Sequence, residues 1–254
     1  NKLYVITPIF NPRRYKSRIK LYNDFVQYMK PFEDRGEIEL YTVEVAYRDR
    51  PFEVTLPNNP KHLQLRSEMV LWIKENCINA CIQRLPSDWK YMAFIDADIQ
   101  FARQDWATET VQLLQHYDWL QLFSQAIDLT PDYEILKTHT SLIKAWKDHK
   151  LNKTNYSNYL QFHSGFAHAV RRDALDSLGG LFSESILGAG DRNMVTALLG
   201  NCEVSLAKGL TENYVNCLRA WQDRATRFIN RNVSYLPGVI THAWHGKKVD
   251  RRYV

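Results

Sequence analysis

The 254 residues carry 33 basic and 28 acidic side chains, for a net charge of +5, and 45% of the residues are hydrophobic. This is the composition of a globular chain with a substantial core, and it excludes a mainly disordered protein. No apolar run reaches the roughly 18–20 residues of a membrane-spanning helix, so no membrane span is expected. The mild positive charge suits an anionic small-molecule substrate and does not require nucleic acid as a partner.

Short apolar runs alternate with helical patterns through the first half of the chain. Strands are predicted at Leu3–Thr7, which Pro8 closes, and at Ile38–Val45, Tyr91–Ile95 and Trp119–Phe123. Helices are predicted between them, one through Ile19, Leu21, Phe25 and Met29, one that Ser67 caps and that runs to Ile82, and one at Trp106–His116. The proline-containing stretch Arg48–Lys61 is predicted to be a loop. The alternation predicts an α/β fold with a mainly parallel central sheet flanked by helices.

The second half is less regular. Gln125–Asn158 is long and polar, with a helix predicted only around Leu142–Trp146. Beyond it the patterns predict strands at Phe162–Val170 and Val239–Trp244, and helices at Asp173–Leu178, from Asp191 onward and at Thr211–Phe228. No repeat or linker divides the chain. We therefore expect one domain over residues 1–254, and the start at Asn1 is compatible with excision from a longer protein.

Two carboxylates, Asp96 and Asp98, follow directly after the predicted strand Tyr91–Ile95. Ligands of such sheets bind outside the carboxyl ends of the strands, so motifs at this position carry the most weight. Carboxylate oxygens one residue apart can converge on Mg²⁺ or Mn²⁺, which in turn bridges phosphate oxygens. The alternative is a solvated turn that happens to carry two aspartates, but the apolar residues on both sides are unusual for a surface turn.

Five motif-like segments follow one another along the chain: Thr7-Pro8 with the helix that carries Lys74 and Asn79; FIDADI at 94–99; HSGFAHAVRR at 163–172 with LGGLF at 178–182; GAGDRNM at 188–194; and HAWHG at 242–246. Together they resemble the landmarks of GT-A glycosyltransferases, in which FIDADI corresponds to the DXD strand. The pattern is closest to the viral and bacterial enzymes that decorate surface glycans.

The resemblance implies a Rossmann-like GT-A fold that binds a nucleoside-diphosphate sugar, UDP favoured and GDP second, and passes the sugar to a glycan acceptor. It implies a nucleotide-binding half at 1–124 and an acceptor-binding half at 125–254. It also implies that the nucleotide is contacted by residues near the first strand and the following helix: Thr7, Pro8, Arg66, Lys74 and Asn79. For Arg66 the alternative is a surface ion pair.

A metal site would serve this chemistry, because the departing diphosphate gains negative charge that a cation at Asp98 can stabilise. His245 is the predicted third ligand and His242 the alternative, since a neutral imidazole suits Mn²⁺ better than Mg²⁺. Asp96 is expected to reach the ribose or the metal, directly or through water. Positive charge beside the diphosphate is predicted from the basic tail, unless that tail is merely solvated: Lys247, Lys248 and Arg251.

The acceptor hydroxyl must lose a proton, and Asp191 is the predicted general base. It follows a Gly-Ala-Gly turn, which lets backbone approach a ligand closely. A separate base favours direct displacement with inversion at the anomeric carbon. The alternative role for Asp191 is a plain helix N-cap, and Asp173 is a weaker candidate for the base.

Other classes remain open. A nucleotidyltransferase that makes nucleotide-sugars normally has a glycine-rich loop after the first strand, whereas FNPRRY follows here. A non-catalytic nucleotide-sugar or carbohydrate-binding domain would not need paired Asp and His at strand ends. The four cysteines show no disulfide or zinc spacing, which predicts a reducing, cytoplasmic compartment. The oligomeric state is left open.

Overall fold

The computed structural model of the chain describes residues 1–152 and 156–246. Its strands are β1 (Leu3–Phe10), β2 (Ile38–Tyr47), β3 (His62–Ser67), β4 (Tyr91–Ile95), β5 (Ile99–Phe101), β6 (Trp119–Gln121), β7 (Gln125–Leu129), β8 (Ile135–Thr140), β9 (Ala167–Arg171), β10 (Val233–Tyr235) and β11 (Val239–His242). Its helices are α1 (Lys16–Asp34), α2 (Lys74–Ile82), α3 (Trp106–Leu113), α4 (Leu142–Lys147), α5 (Tyr156–Leu160), α6 (Arg172–Leu178), α7 (Gly190–Leu198) and α8 (Glu212–Arg224). A π-helical turn at Ala225–Ile229 follows α8.

Within the described residues, the central sheet has the strand order β10-β6-β9-β4-β1-β2-β3. All neighbours are parallel except β9, which runs antiparallel to both β4 and β6. The predicted mainly parallel sheet is therefore confirmed. The reversed β9 brings the start of a strand to the edge where the parallel strands end.

Helices cover both faces of this sheet because its strands are apolar on both sides. Along β4, Phe94 belongs to the apolar cluster that includes α2 and α7 residues, whereas Ala93 and Ile95 belong to the cluster of α1 and α3. This alternation is the two-residue period of a strand. Helix α1 contributes Phe25 and Met29, four residues apart on its buried stripe.

A second sheet, β5-β11-β7-β8, was not predicted. Strand β11 lies between β5 and β7, antiparallel to the first and parallel to the second. In this register His242 lies beside Ile99 on one side and Asp128 on the other. The sheet therefore brings the turn after β4 next to the last described strand.

The prediction that Ser67 caps a long helix is wrong. Ser67 is the last residue of β3, which pairs in parallel with residues 42–47 of β2, and its carbonyl accepts a hydrogen bond from the N–H of Arg48. Helix α2 begins only at Lys74. The period-two pair Leu63 and Leu65 marks this strand, but it falls between the loop predicted to end at Lys61 and the helix predicted to begin at Ser67. Strand β1 also continues beyond Pro8, to Phe10.

None of the helices in residues 1–152 and 156–246 combines the length and the apolar character needed to cross a membrane. The four cysteines are free thiols, with Cys77, Cys81 and Cys202 buried and Cys217 exposed.

Candidate active site

A cavity of about 490 Å³ opens at the edge where β1 and β4 end. We call it the strand-end cavity. The first half of the chain contributes the ends of these strands and the start of α2, and the second half contributes α7 and β11. Its charged and histidine lining residues are Arg18, Lys74, Asp96, Asp98, Asp128, His139, His163, Asp191, His242 and His245.

Three side chains in this cavity, Asp98, His242 and His245, each offer one ligand atom, and these atoms lie within 4.8 Å of one another. We call them the ligand trio. Oδ2 of Asp98 lies 3.5 Å from Nε2 of His245 and 3.6 Å from Nε2 of His242, and the two Nε2 atoms are 3.2 Å apart. The sequence left His242 and His245 as alternatives, and the structure brings both to Asp98.

Asp98 is only 8% exposed, and its Oδ1 has no hydrogen-bond partner within the described residues. A buried carboxylate oxygen without a donor is costly, so its presence points to a positively charged occupant. One carboxylate and two imidazoles form a donor set that suits a transition metal such as Mn²⁺. The residues present therefore fit the divalent cation implied by the resemblance.

A second layer of residues fixes the orientation of His242. Its Nδ1 lies 2.8 Å from Oδ1 of Asp128, and the other oxygen of Asp128 lies 2.9 Å from Nε2 of His139. Burial opposes a charge on His242, but Asp98 and Asp128 outweigh it and raise its pKa to about 9. Burial likewise opposes the charge on Asp98, but His242 and Arg18 hold the pKa of Asp98 well below its usual value. Such outer partners orient and tune metal-binding histidines.

Lys74 connects the strand end to the second half of the chain. Its Nζ lies 2.7 Å from Oδ1 of Asp96 and 3.3 Å from Oδ2 of Asp191, and the lysine side chain is 4% exposed. Burial opposes the ammonium, but Asp191 and Asp96 overcome it and hold the pKa of Lys74 above its usual value. Asp96 is thus engaged by Lys74 and lies outside the ligand trio.

Asp191 lies in the first turn of α7 and does not cap it. The N-cap position is Ala189, in left-handed conformation, with no side-chain cap. A Cβ built on Gly165 would lie 2.9 Å from Oδ2 of Asp191, so any larger residue at this position would force the carboxylate to shift. The Asp191 carboxylate is therefore left to Lys74 and to the cavity.

Phe166 forms one wall of the cavity in an unfavourable backbone conformation. Its φ is 77°, which is rare for a bulky side chain. Its ring stacks on His163 at a centroid distance of 3.7 Å, and its carbonyl accepts a 2.9 Å hydrogen bond from the N–H of Asp96. Such strain is typically held where a fold fixes a functional geometry.

His163 is a neutral hydrogen-bonding group in this wall. Its Nδ1 accepts a 3.1 Å hydrogen bond from the N–H of Gly165, which places the ring proton on Nε2. Burial and the neighbouring His139 lower the pKa of His163 to about 3.

The predicted site residues fall into three groups. Those that line the strand-end cavity are Pro8, Lys74, Asp96, Asp98, Asp191 and His245. Those placed elsewhere are Thr7, Arg66 and Asn79. Lys247, Lys248 and Arg251 lie outside the described residues.

Local contacts explain why Thr7, Arg66 and Asn79 do not line the cavity. Thr7 is buried within β1, and Oγ1 has no hydrogen-bond partner in the described part of the chain. Arg66 donates to the carbonyls of Arg48 and Arg50, so its guanidinium ties β3 to the loop after β2. The side-chain amide of Asn79 donates to the carbonyl of Leu181 and accepts from its N–H, both at 2.9 Å. These hydrogen bonds connect α2 to the segment that follows α6.

Sequence reasoning did not identify Asp128, His139 or Phe166 as site residues. Asp128 and His139 occur in a stretch that was predicted to be polar and irregular. Their pairing depends on the second sheet, whose strand Gln125–Leu129 has no alternation of apolar residues that would have marked it.

No protein-family model and no curated protein matches the chain. Among solved structures, that of S. aureus TarS residues 1–349 in complex with UDP-GlcNAc matches 100% of this chain and 62% of its own, at 13% identity and a TM-score of 0.55. A Drosophila β1,4-galactosyltransferase 7 mutant in complex with manganese, UDP-Gal and xylobiose matches 99% of this chain and 74% of its own, at 12% identity and a TM-score of 0.46. A protein described as a nucleotide-diphospho-sugar transferase from Desulfovibrio desulfuricans G20 matches 94% and 81%, at 14% identity and a TM-score of 0.42. The TarS match shows that this chain shares its fold, the GT-A-like arrangement of a mainly parallel sheet flanked by helices.

Proposed function

We propose that the chain is a metal-dependent glycosyltransferase that moves a sugar from a nucleoside-diphosphate sugar, UDP favoured and GDP second, to a glycan hydroxyl. The observation that carries the proposal is the buried ligand trio at the strand-end cavity of this fold, in which one oxygen of Asp98 has no hydrogen-bond partner among residues 1–152 and 156–246. The structure of TarS with the same fold holds UDP-GlcNAc, which supports a nucleotide-sugar as the donor.

Asp98, His242 and His245 would hold Mn²⁺ or Mg²⁺. When bound, the cation supplies positive charge for the departing diphosphate. Arg18 adds a fixed positive charge, because its guanidinium lies 3.5 Å from Oδ2 of Asp98 and lines the same cavity. Lys247, Lys248 and Arg251 remain candidates for further contacts with the diphosphate.

Asp191 is the proposed general base. Its carboxylate lines the cavity, does not cap α7 and is paired with Lys74, so it lies where it would accept the proton of an acceptor hydroxyl. Lys74 holds this carboxylate beside Asp96, which fixes the base relative to the donor side. A base separate from the ligand trio favours direct displacement, and so inversion at the anomeric carbon.

The remaining predictions belong to the same proposal. The donor would be bound by residues 1–124 and the acceptor by 125–254, and the protein would act in the cytoplasm.

Two alternatives make different predictions. A nucleotidyltransferase would release pyrophosphate from a nucleoside triphosphate, and a non-catalytic domain of this fold would bind a nucleotide-sugar without converting it.

The test combines binding with product analysis. The melting temperature is measured with UDP, GDP and their sugar conjugates, with Mn²⁺ or with EDTA, and each conjugate is then incubated with glycan acceptors. We expect stabilisation that needs both metal and nucleotide, loss of it in Asp98→Ala, and transfer of the sugar. Binding without any product would favour the non-catalytic domain, and no stabilisation by any nucleotide would overturn the proposal.

A further inference from the structure

Glu75 is a buried acid that the proposed chemistry does not use. It lies in the first turn of α2, is 1% exposed, and its Oε1 has no hydrogen-bond partner within the described residues. An ionised carboxylate in such a place is strongly disfavoured. Burial, reinforced by Asp191, raises the pKa of Glu75 to about 8, so the group is mainly protonated at neutral pH.

The Glu75 carboxyl group packs against Gly190, the first residue of α7. A Cβ built on Gly190 would lie 2.9 Å from Oε2 of Glu75 and closer still to Oε1. Only glycine allows this approach, and its φ is not in the left-handed region. Gly190 is therefore required for contact with Glu75 and not for a turn.

Two consecutive residues of α2 thus meet two consecutive residues of α7. Lys74 is paired with the carboxylate of Asp191, and Glu75 supports the backbone of Gly190 immediately before it. The ion pair supplies attraction, and the carboxyl group sets the distance between the two helix starts.

The charges around Glu75 explain why it has to be neutral. Lys74 is the one cation that contacts both Asp96 and Asp191 among the described residues, so a third carboxylate would add to the negative charge that this cluster already has in excess. The titratable groups that face Glu75 are Lys74 and Cys77 on α2, Asp191 on α7, Asp96 after β4 and Tyr214 on α8.

We propose that Glu75 is a positioning residue, which as a neutral carboxyl group seats the first turn of α7 on α2 and so holds Asp191 at the strand-end cavity. Its ionisation in alkali repels Asp191 and loosens this contact. The inference rests on the proposed function where it concerns turnover, but the seating of α7 is independent of it.

The experiment compares Glu75→Gln, which keeps the shape and is permanently neutral, with the wild type. In the stability arm, the folding equilibrium constant of Glu75→Gln relative to wild type should grow about tenfold per pH unit between about pH 5 and 8. This follows because the wild-type side chain must take up a proton on folding in that range. In the turnover arm, wild-type kcat should fall above about pH 8, and Glu75→Gln should lack this fall while the donor KM stays unchanged.

The matched control is Glu44→Gln on β2. Glu44 is also buried, but its carboxylate accepts hydrogen bonds from the N–H groups of Glu53, Val54 and Thr55 and from the Thr55 hydroxyl. Glu44→Gln should therefore lose stability at every pH in the range. Glu75→Ala removes the carboxyl group that contacts Gly190, so its kcat should be lower than that of wild type by about tenfold or more at neutral pH. Glu75→Gln should have a kcat near that of wild type at this pH.

In the stability arm, three outcomes overturn the proposal: a Glu75→Gln variant that does not fold, a stability ratio that is flat with pH, or a Glu44→Gln variant with the same pH dependence. The proposed function fails separately, because absence of any sugar transfer leaves the stability arm intact. Transfer by Glu75→Gln with an unchanged alkaline fall overturns the positioning role alone.

Discussion

Asp128 fixes the ring of His242: Oδ1 of the carboxylate lies 2.8 Å from Nδ1 of the imidazole. Because this contact occupies Nδ1, it is Nε2 of His242 that faces Asp98. The contact between β7 and β11 therefore decides which ring nitrogen is offered to a cation.

Replacing Asp128 with Asn should weaken Mn²⁺ binding about 10–100-fold, because the ring of His242 loses its charged partner. The affinity is measured by titration calorimetry on the folded protein. Asp105→Asn is the control, since Asp105 pairs with Arg103 outside the cavity and should leave the affinity unchanged. Equal affinities in all three proteins would remove Asp128 from the site.

His245→Ala should weaken Mn²⁺ binding by on the order of a hundredfold, because one of three ligand atoms is removed. His242→Ala should have an effect at least as large, since it also breaks the contact with Asp128. The exposed His116 supplies the control as His116→Ala. If His245→Ala bound the metal like wild type, the site would have to be built from Asp98 and His242 with other ligands.

Asp191→Asn should lower kcat by about 10²–10⁴-fold and leave donor affinity near that of wild type, because only the proton acceptor is lost. Asp173→Asn tests the weaker candidate and should keep its activity, since Asp173 is paired with Arg171 and does not line the cavity. Steady-state kinetics with product stereochemistry measure both points. A product with the anomeric configuration of the donor would contradict direct displacement.

His168 predicts an acid-sensitive core. It is 1% exposed, Nδ1 accepts from Nε1 of Trp119 at 3.1 Å, and Nε2 donates to the carbonyl of Ser164 at 2.7 Å. Burial lowers the pKa of His168 to about 4, below that of the unfolded chain. The unfolded state therefore binds the proton first, and the contribution of neutral His168 is complete above about pH 6.5 and is lost as the pH falls towards 4.

The expected loss from His168 is about 1.4 kcal/mol per pH unit in this range. It is measured as the difference in free energy of unfolding between wild type and His168→Gln in urea, at several pH values. That difference should shrink on acidification, whereas His116→Gln should track wild type. A constant difference would mean that His168 is not the titrating group.

Strands β1, β2, β4 and β6 of the central sheet were predictable because each contains a mainly apolar run, as in Tyr91–Ile95. Asp96 and Asp98 were predictable for the same reason, since the end of such a strand marks the binding edge. Asp191 was predicted as the general base from its Gly-Ala-Gly turn, and it lines the strand-end cavity. In each case the signal is local, so a few neighbouring residues contain it.

The rest of the site depends on contacts between distant segments. The partnership of Asp128 with His242 exists only because β7 and β11 pair in one register, and neither strand has a continuous apolar pattern. Lys74 was expected at the nucleotide, but its ion pair with Asp191 requires the starts of α2 and α7 to meet. The strand His62–Ser67 was missed because its half-exposed residues pair with β2 at the edge of the sheet.

The position of β11 between β5 and β7 has a consequence for synthesis on the ribosome. Asp98 and the β7–β8 hairpin emerge before the strand that lies between β5 and β7 is made. Until residues 239–245 have left the exit tunnel, β5 lacks its neighbour and Asp98 lacks both histidines. A nascent chain can therefore assemble much of the central sheet before the ligand trio exists, and emergence of residues 239–245 brings its two histidines to Asp98.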